Sequence, residues 1–437
     1  MNTRRTSRRG FSRTAVLTTA LVLTVGGASP AADQDGFEAP PVLPATDFLS
    51  ADRLQGEGYR VDPAVPTDGF RAHFAISTDY GAFPAVGADL LEIRLREVAA
   101  MRELERMSRS GVFASSLKDE VQDTGAGLKH AAQNPKDTLV GLPEGVGRFF
   151  QRTARAGKTG VQKVQDQEAA RRESGEDFGT EDAQQAAGQA ASVTADALGL
   201  DEERRKLAKK LGVDPYTANA ILSRKLDEIA KAAFAGSLGV RFATSKVPGG
   251  TLVSTSTRVN DWVWDTPPGD LRVAIERELL VLGASRDSVD RLLRHSAYSL
   301  TMQAVIQAAL TEMKGVEGRP HVLAWVLSAD SADQARFVML SIRMLARYHR
   351  EVAPLVRAET PGPLAGRTED GSLAIVGAVD YLAWTEQLSS FVSQSDEVTE
   401  RSFWLAGRVS PRTRAELTQR GWAIHERSLV EHLPSVR

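Results

Sequence analysis

Apolar residues recur along this chain at changing intervals, and the intervals divide it. Over Phe70-Arg71-Ala72-His73-Phe74-Ala75-Ile76 the apolar members mostly alternate with polar or small ones, a period of two that predicts a strand. From Ala88 to Met107 the period lengthens. Leu91, Leu95, Val98 and Met101 recur at three- and four-residue steps, which predicts a helix with one buried stripe. Glu92, Arg96 and Glu103 are expected on its opposite face, and Arg102 interrupts the stripe. From Gly111 to Gly250 the chain reads as helices separated by glycine. Within it, Gln165 to Ala191 has almost no large apolar residue and suits a solvated helix or a linker. Asp214-Pro215 reads as N-cap and first residue of a helix that carries Ile221, Leu222, Leu226 and Ile229.

The texture changes near Asn260. Trp262-Val263-Trp264-Asp265-Thr266-Pro267-Pro268 introduces a helix from Asp270 to Leu282, and two more helical patterns end near Met313. His321 to Leu327 is an apolar, β-rich run and predicts a strand, Ser331 to Arg350 a long helix, and Leu373 to Val379 a second strand leading into a helical pattern. In the last unit Phe403 to Ala406 reads as a strand, Ser410 and Pro411 as N-cap and first turn, Gly421 as the stop, and Trp422 to His425 as a further strand. So short a crossover argues for parallel strands covered by helices. The expected fold class is α+β, mainly helical. Residues 33–110 form a small strand-plus-helix unit, 111–259 a helical region with a polar linker at 165–191, and 260–437 a helical and α/β domain with short parallel strands.

The first 32 residues carry a different message. Ser7-Arg8-Arg9-Gly10-Phe11-Ser12-Arg13 precedes an apolar stretch from Ala15 to Val25 and a small-residue segment from Gly26 to Ala32. That order is the order of a signal peptide, and the paired arginines resemble the twin-arginine export pattern. The apolar stretch is too short to span a bilayer. Cleavage near Ala31 or Ala32 is expected, with a mature bacterial chain that is periplasmic or secreted and has no transmembrane segment. Its loss removes five arginines and no acid, leaving 49 basic against 56 acidic side chains, a charge of −7. Nucleic acid is therefore not the expected partner. With no cysteine, disulfides, thiol nucleophiles and thiolate-bound metals or clusters are excluded.

Catalytic motifs fail on context. Gly157-Lys158-Thr159 resembles the end of a phosphate-binding loop, but the required earlier glycine is Arg152. Ser115-Ser116-Leu117-Lys118 and Lys158-Thr159-Gly160 resemble elements of penicillin-binding proteins and β-lactamases. They lie too close together for that fold, with no Ser-x-Asn or Ser-Asp-Asn element between them. No Gly-x-Ser-x-Gly, His-Glu-x-x-His or Gly-x-Gly-x-x-Gly motif is present. Among the seven histidines, His425 and His432 are the one nearby pair, flanked by Glu426 and Glu431, and they read as surface residues. No metal or cofactor is expected.

Two features remain. Leu139, Leu142, Val146, Phe149 and Phe150 form an apolar helical stripe accompanied by Arg148, Arg152, Arg155, Lys158 and Lys163. A basic amphipathic helix of this kind can meet a membrane surface or an envelope partner, and can equally pack on its own domain. The second is the loop Gly407-Arg408-Val409-Ser410 after the Phe403 strand, with Asp330 and Ser331 expected at the end of the earlier strand. Strand ends and a helix N-terminus together could bind an anion through Arg408 and Ser410, although Ser410-Pro411 also serves as a simple cap. The preferred reading is an exported binding or scaffolding protein, the alternative an envelope hydrolase or transferase acting on an anionic substrate there.

Overall fold

The structure, a computed structural model, describes residues 36–109, 199–234, 257–360, 363–394 and 400–429. Near the N-terminus β1 (Val42–Pro44) pairs antiparallel with β4 (Ala64–Pro66). A four-stranded antiparallel sheet has the order β2 (Gln55–Gly56), β3 (Tyr59–Val61), β5 (His73–Thr78), β6 (Gly81–Val86). The alternation read at 70–76 is realised in β5, where Phe74 and Ile76 are buried and His73 and Ala75 exposed. Helix α1 (Ala88–Ser108) lies against this sheet, with Leu91 and Leu95 joining Val61, Val65, Phe74 and Ile76 in one core. Its expected polar face is not uniformly solvated. Glu92 is buried, and both of its carboxylate oxygens accept from Arg53, at 2.8 and 2.7 Å. The N-terminal unit therefore has more strands than the single clear alternation predicted.

The second half of α1 buries Val98, Met101 and Leu104 against α2 (199–211) and α3 (Ala220–Phe234). The expected opening of α3 at Asp214-Pro215 is corrected by five residues or so. Asn219 supplies the cap, its Oδ1 accepting from Leu222 N at 3.2 Å. Asp214 instead accepts from Tyr216 N at 2.8 Å and from the Thr301 hydroxyl at 2.6 Å, so its side chain closes a turn and ties that turn to a distant helix.

The helices that follow are α4 (Thr257–Asp265), α5 (Pro268–Val281), α6 (Arg286–Arg294), α7 (Leu300–Glu312), α8 (Arg319–Val326) and α9 (Ala332–Glu351). Helix α7 is buried on every side over its first eight residues, Leu300 to Gln307, and is the centre of the largest core. The strand expected at His321–Leu327 is a correction: these residues belong to α8. Gly318 turns the chain, Pro320 stands in the first helical turn, and Val322, Leu323 and Val326 face inward at helical spacing. A short apolar run suits either element, and the proline decides it.

A five-stranded mixed sheet completes the fold, in the order β13 (Trp422–His425), β11 (Arg401–Leu405), β9 (Leu373–Gly377), β8 (Ala365–Thr368), β7 (Leu355–Glu359). β9, β11 and β13 run parallel, as the short crossover requires, and β7 and β8 are antiparallel additions. Helix α9 covers the face carrying Ala374 and Val376. Helices α10 (Glu386–Gln394) and α11 (Pro411–Gln419) cover the face carrying Leu373, Ile375, Phe403 and Trp422. β9 is buried along its whole length, hence its continuous apolar run. The chain thus combines helices with mixed sheets rather than being simply helical.

Enclosure by the protein pushes the Asp214 carboxyl above the ordinary carboxylate range, against the Thr301 hydroxyl and Tyr216 amide that favour its charge. A raised native pKa means that the native state holds this proton more tightly than the unfolded chain. The associated stability is present at low pH and is lost as pH rises through the native value. Asn at this position keeps an acceptor for both donors. We expect the stability of Asp214→Asn relative to wild type, followed by thermal melts from pH 4 to 7, to improve with rising pH; a gap independent of pH would refute the assignment.

Candidate functional site at the ends of the parallel strands

After β9 the chain continues through Ala378 and Val379 to β10 (Tyr381–Leu382), and after β11 through Gly407 to β12 (Arg408–Val409). These two short strands pair in parallel, with Tyr381 opposite Arg408 and Leu382 opposite Val409. The backbones approach closely: Gly407 N donates to Val379 O at 2.7 Å, and Arg408 N to Asp380 O at 3.1 Å. A Cβ on residue 407 would lie 1.9 Å from the Asp380 carbonyl oxygen, so glycine is required there by contact alone. β10 and β12 place Arg408 and Ser410 beside the N-terminal unit.

Ser410 is the N-cap of α11, its Oγ accepting from Thr413 N at 2.9 Å, as expected. It is also fully buried, and its hydroxyl donates to Glu38 Oε2 at 2.5 Å. The same Glu38 oxygen accepts from Trp384 N at 2.6 Å, and Glu38 N donates to Trp384 O at 2.9 Å. Arg408 pairs with Asp47 at 2.5 Å. Arg408 and Ser410, the candidates read from the sequence, each meet a carboxylate of the chain's own N-terminal segment. Burial, then the Glu38 and Asp47 charges, raise the Tyr381 phenol above its ordinary value, with Arg408 opposing.

Asp330 is not part of this group. Because α8 is a helix, Asp330 lies in a helix-to-helix turn, exposed, with its amide donating to Gln334 Oε1 at 3.1 Å. Ser331 caps α9, accepting from Gln334 N at 3.3 Å. Arg336, further along α9, meets the N-terminal unit instead, 3.4 Å from Asp89 in the first turn of α1.

The groups that organise this region escaped the sequence reading. Arg71, at the start of the strand-like alternation, is buried and points into the junction between the two units. Its Nη1 donates to Ala378 O, and its Nη2 to Val86 O at 3.1 Å and to Asp89 Oδ1 at 2.7 Å, while Nε lies 3.4 Å from Asp380 Oδ2. Asp380 is equally buried, and it accepts from Ala72 N and Ala88 N, each at 3.1 Å. Burial pushes the Asp380 carboxyl above its ordinary value while Arg71 pulls it down. Burial likewise opposes the Arg71 charge, but Asp380 and Asp89 more than restore it and leave its pKa raised. The one available signal was position: a lone acid directly after a fully apolar strand, and a lone arginine inside an alternating one.

The remaining candidates are distributed elsewhere. Phe149, Phe150, Arg148, Arg152 and Arg155 lie outside the described residues, as does His432. His425 stacks on Trp404, with ring centroids 3.7 Å apart and planes 9° apart, and burial lowers its pKa. Among the described residues no group of three His, Asp or Glu is arranged to hold a metal ion, and no helix is long and apolar enough to cross a membrane.

Removing one member of a buried ion pair leaves the other desolvated, a cost of roughly 3–5 kcal/mol. Asp380→Asn and Arg71→Met should each lower stability by about that amount in urea unfolding, whereas Arg102→Ala, whose partners Glu57 and Asp79 are exposed, should stay within about 1 kcal/mol of wild type. Equal effects at the two sites would remove the special status of the Arg71–Asp380 contact.

Compared with protein-family models, curated proteins and solved structures, the chain matches none of them, so its function has to be argued from its own residues.

Proposed function

We propose that this chain is an exported, periplasmic or envelope-associated binding or scaffolding protein, and that its C-terminal α/β unit is a structural body rather than a catalytic one. One observation carries the choice over a hydrolase or transferase: the groups suited to an anionic substrate at the strand ends, Arg408 and Ser410, are engaged by Asp47 and Glu38. A substrate there would have to replace charge-assisted hydrogen bonds that the protein already makes. Asp330, the third residue of the alternative site, lies in the turn before α9.

Contact with a partner or membrane surface falls to the helical region between 111 and 259, through the basic amphipathic stretch containing Phe149, Phe150, Arg148, Arg152 and Arg155. Its arginines would meet lipid phosphates or acidic side chains, and its phenylalanines an apolar boundary. The mature chain carries net negative charge, so this attraction is local rather than global.

Fractionation of the untagged protein, with salt washes of the envelope fraction, tests this reading. The wild type is expected to stay with the envelope at low salt and to leave it at high salt. On vesicles containing phosphatidylglycerol, Arg152→Glu should weaken binding by at least about fivefold, since each basic residue at an anionic surface contributes roughly 1 kcal/mol. Phe149→Asp should weaken it also, and Arg408→Ala should leave it unchanged. A mature chain that never associates with envelope or vesicles at any salt concentration would count against the proposal, as would loss of binding on Arg408→Ala alone.

A further inference from the structure

Among the contacts that fasten the N-terminal unit to the C-terminal one, which include the Arg408–Asp47 and Arg336–Asp89 pairs, two sets lie on separate stretches of chain. The inner set begins at residue 69. Gly69 O accepts from Ala383 N at 3.0 Å, Phe70 O accepts from Asp380 N at 2.8 Å, and Arg71 and Ala72 bind Asp380. The outer set is a strap preceding β1. Phe37 packs against the core formed by α10, α11 and the sheet, and Glu38 holds Trp384 and Ser410, while Pro41 O accepts from Thr67 N at 3.1 Å within the N-terminal unit itself. The two sets share no hydrogen bond.

The strap also follows closely on the segment read as an export signal ending near Ala32. This inference rests on that reading. When such a signal lies in the bilayer with its cleavage site at the far side, and the folded body waits on the near side, the following chain must cross the hydrocarbon core. That thickness is about 30 Å, and an extended residue covers about 3.3–3.6 Å, so roughly nine residues are needed. Counted from Ala32, they reach Pro41 and include both Phe37 and Glu38. The inner fastening lies beyond that span.

We propose that Phe37 and Glu38 form a latch that opens while the folded body stays closed: open while the signal is in transit, closed on the α11 cap and Trp384 once the signal is gone. The arrangement supplies the slack that an already folded chain needs, and returns the same residues to the fold afterwards. Glu38 is only half-buried where Asp380 is buried, so its carboxylate has partial access to water even when the latch is closed.

Native-state hydrogen exchange on the mature protein tests the separability. The amides of Glu38 and Trp384, which make the latch bonds, should exchange about 100-fold faster than those of Ala72 and Ala88, which donate to Asp380, and should do so independently of low urea. If the two sets exchange together with the same urea dependence, the latch does not open on its own and the proposal is wrong. Pulse-labelled full-length chain in its native host tests the role. Conversion to the mature form should be about threefold faster or more for Glu38→Ala and Phe37→Ala. Equal or slower conversion, with the mature variants still folded, overturns it. Intact mass separates this from the underlying reading: a recovered chain that retains residues 1–32 ends the export reading and the latch's role with it, whatever the exchange pattern.

Discussion

The Arg71 guanidinium is the constraint on which the rest of this architecture depends. It is enclosed at the junction of two units, and one planar cation there meets a carbonyl of each unit and a carboxylate of each, with Ala378 and Asp380 on one side and Val86 and Asp89 on the other. A buried cation is tolerated only where its hydrogens are nearly all matched, so the two units are held in one relative position. Asp380 extends the same logic by accepting from Ala72 and Ala88, one at the edge of the N-terminal sheet and one at the first residue of α1. Hydrophobic burial would hold the units together without choosing between many sliding arrangements. The charged junction chooses one.

A second polar network does similar work further along. Glu97 on α1 accepts from Thr217 at 2.5 Å and Asn219 at 2.9 Å, and Asp214 in the same loop holds Thr301 on α7. Buried Arg204 joins Asp227, Ser223 and the Pro215 carbonyl. Through these side chains α1 is tied to α2, α3 and the central helix of the largest core. The described parts of the chain are thus joined by acids, arginines and short polar residues as well as by apolar contacts such as those of Met101 and Leu104.

That division explains what the sequence disclosed. Periodicity located β5, α1, α7, α9 and the β11–α11–β13 unit, because each has a single buried face or is buried throughout. The His321–Leu327 run failed because six consecutive apolar residues satisfy either period, and the deciding information was the Gly318 turn and Pro320. The short strands β2, β3 and β4 carry two or three residues each, too few for a period to show. Ser410 was legible as a cap because capping is local. Its partner Glu38 was not, because it lies 372 positions away. Arg71 and Asp380 are single charges whose meaning arises only when the chain folds back, and their position among apolar residues was the one mark they carried.

The separation of these partners has a consequence for synthesis. Ala72 and Asp380 are 308 positions apart, and bringing together ends so distant costs roughly 5 kcal/mol in its length-dependent part alone. Until synthesis has passed residue 380, Arg71 has no Ala378 carbonyl and no Asp380 to meet. A product cut short before that point keeps an N-terminal sheet with a solvent-seeking cation on the surface it should bury. The junction therefore separates a chain that extends past residue 380, in which this cation is matched, from one cut short before it, in which the cation keeps only Val86 and Asp89.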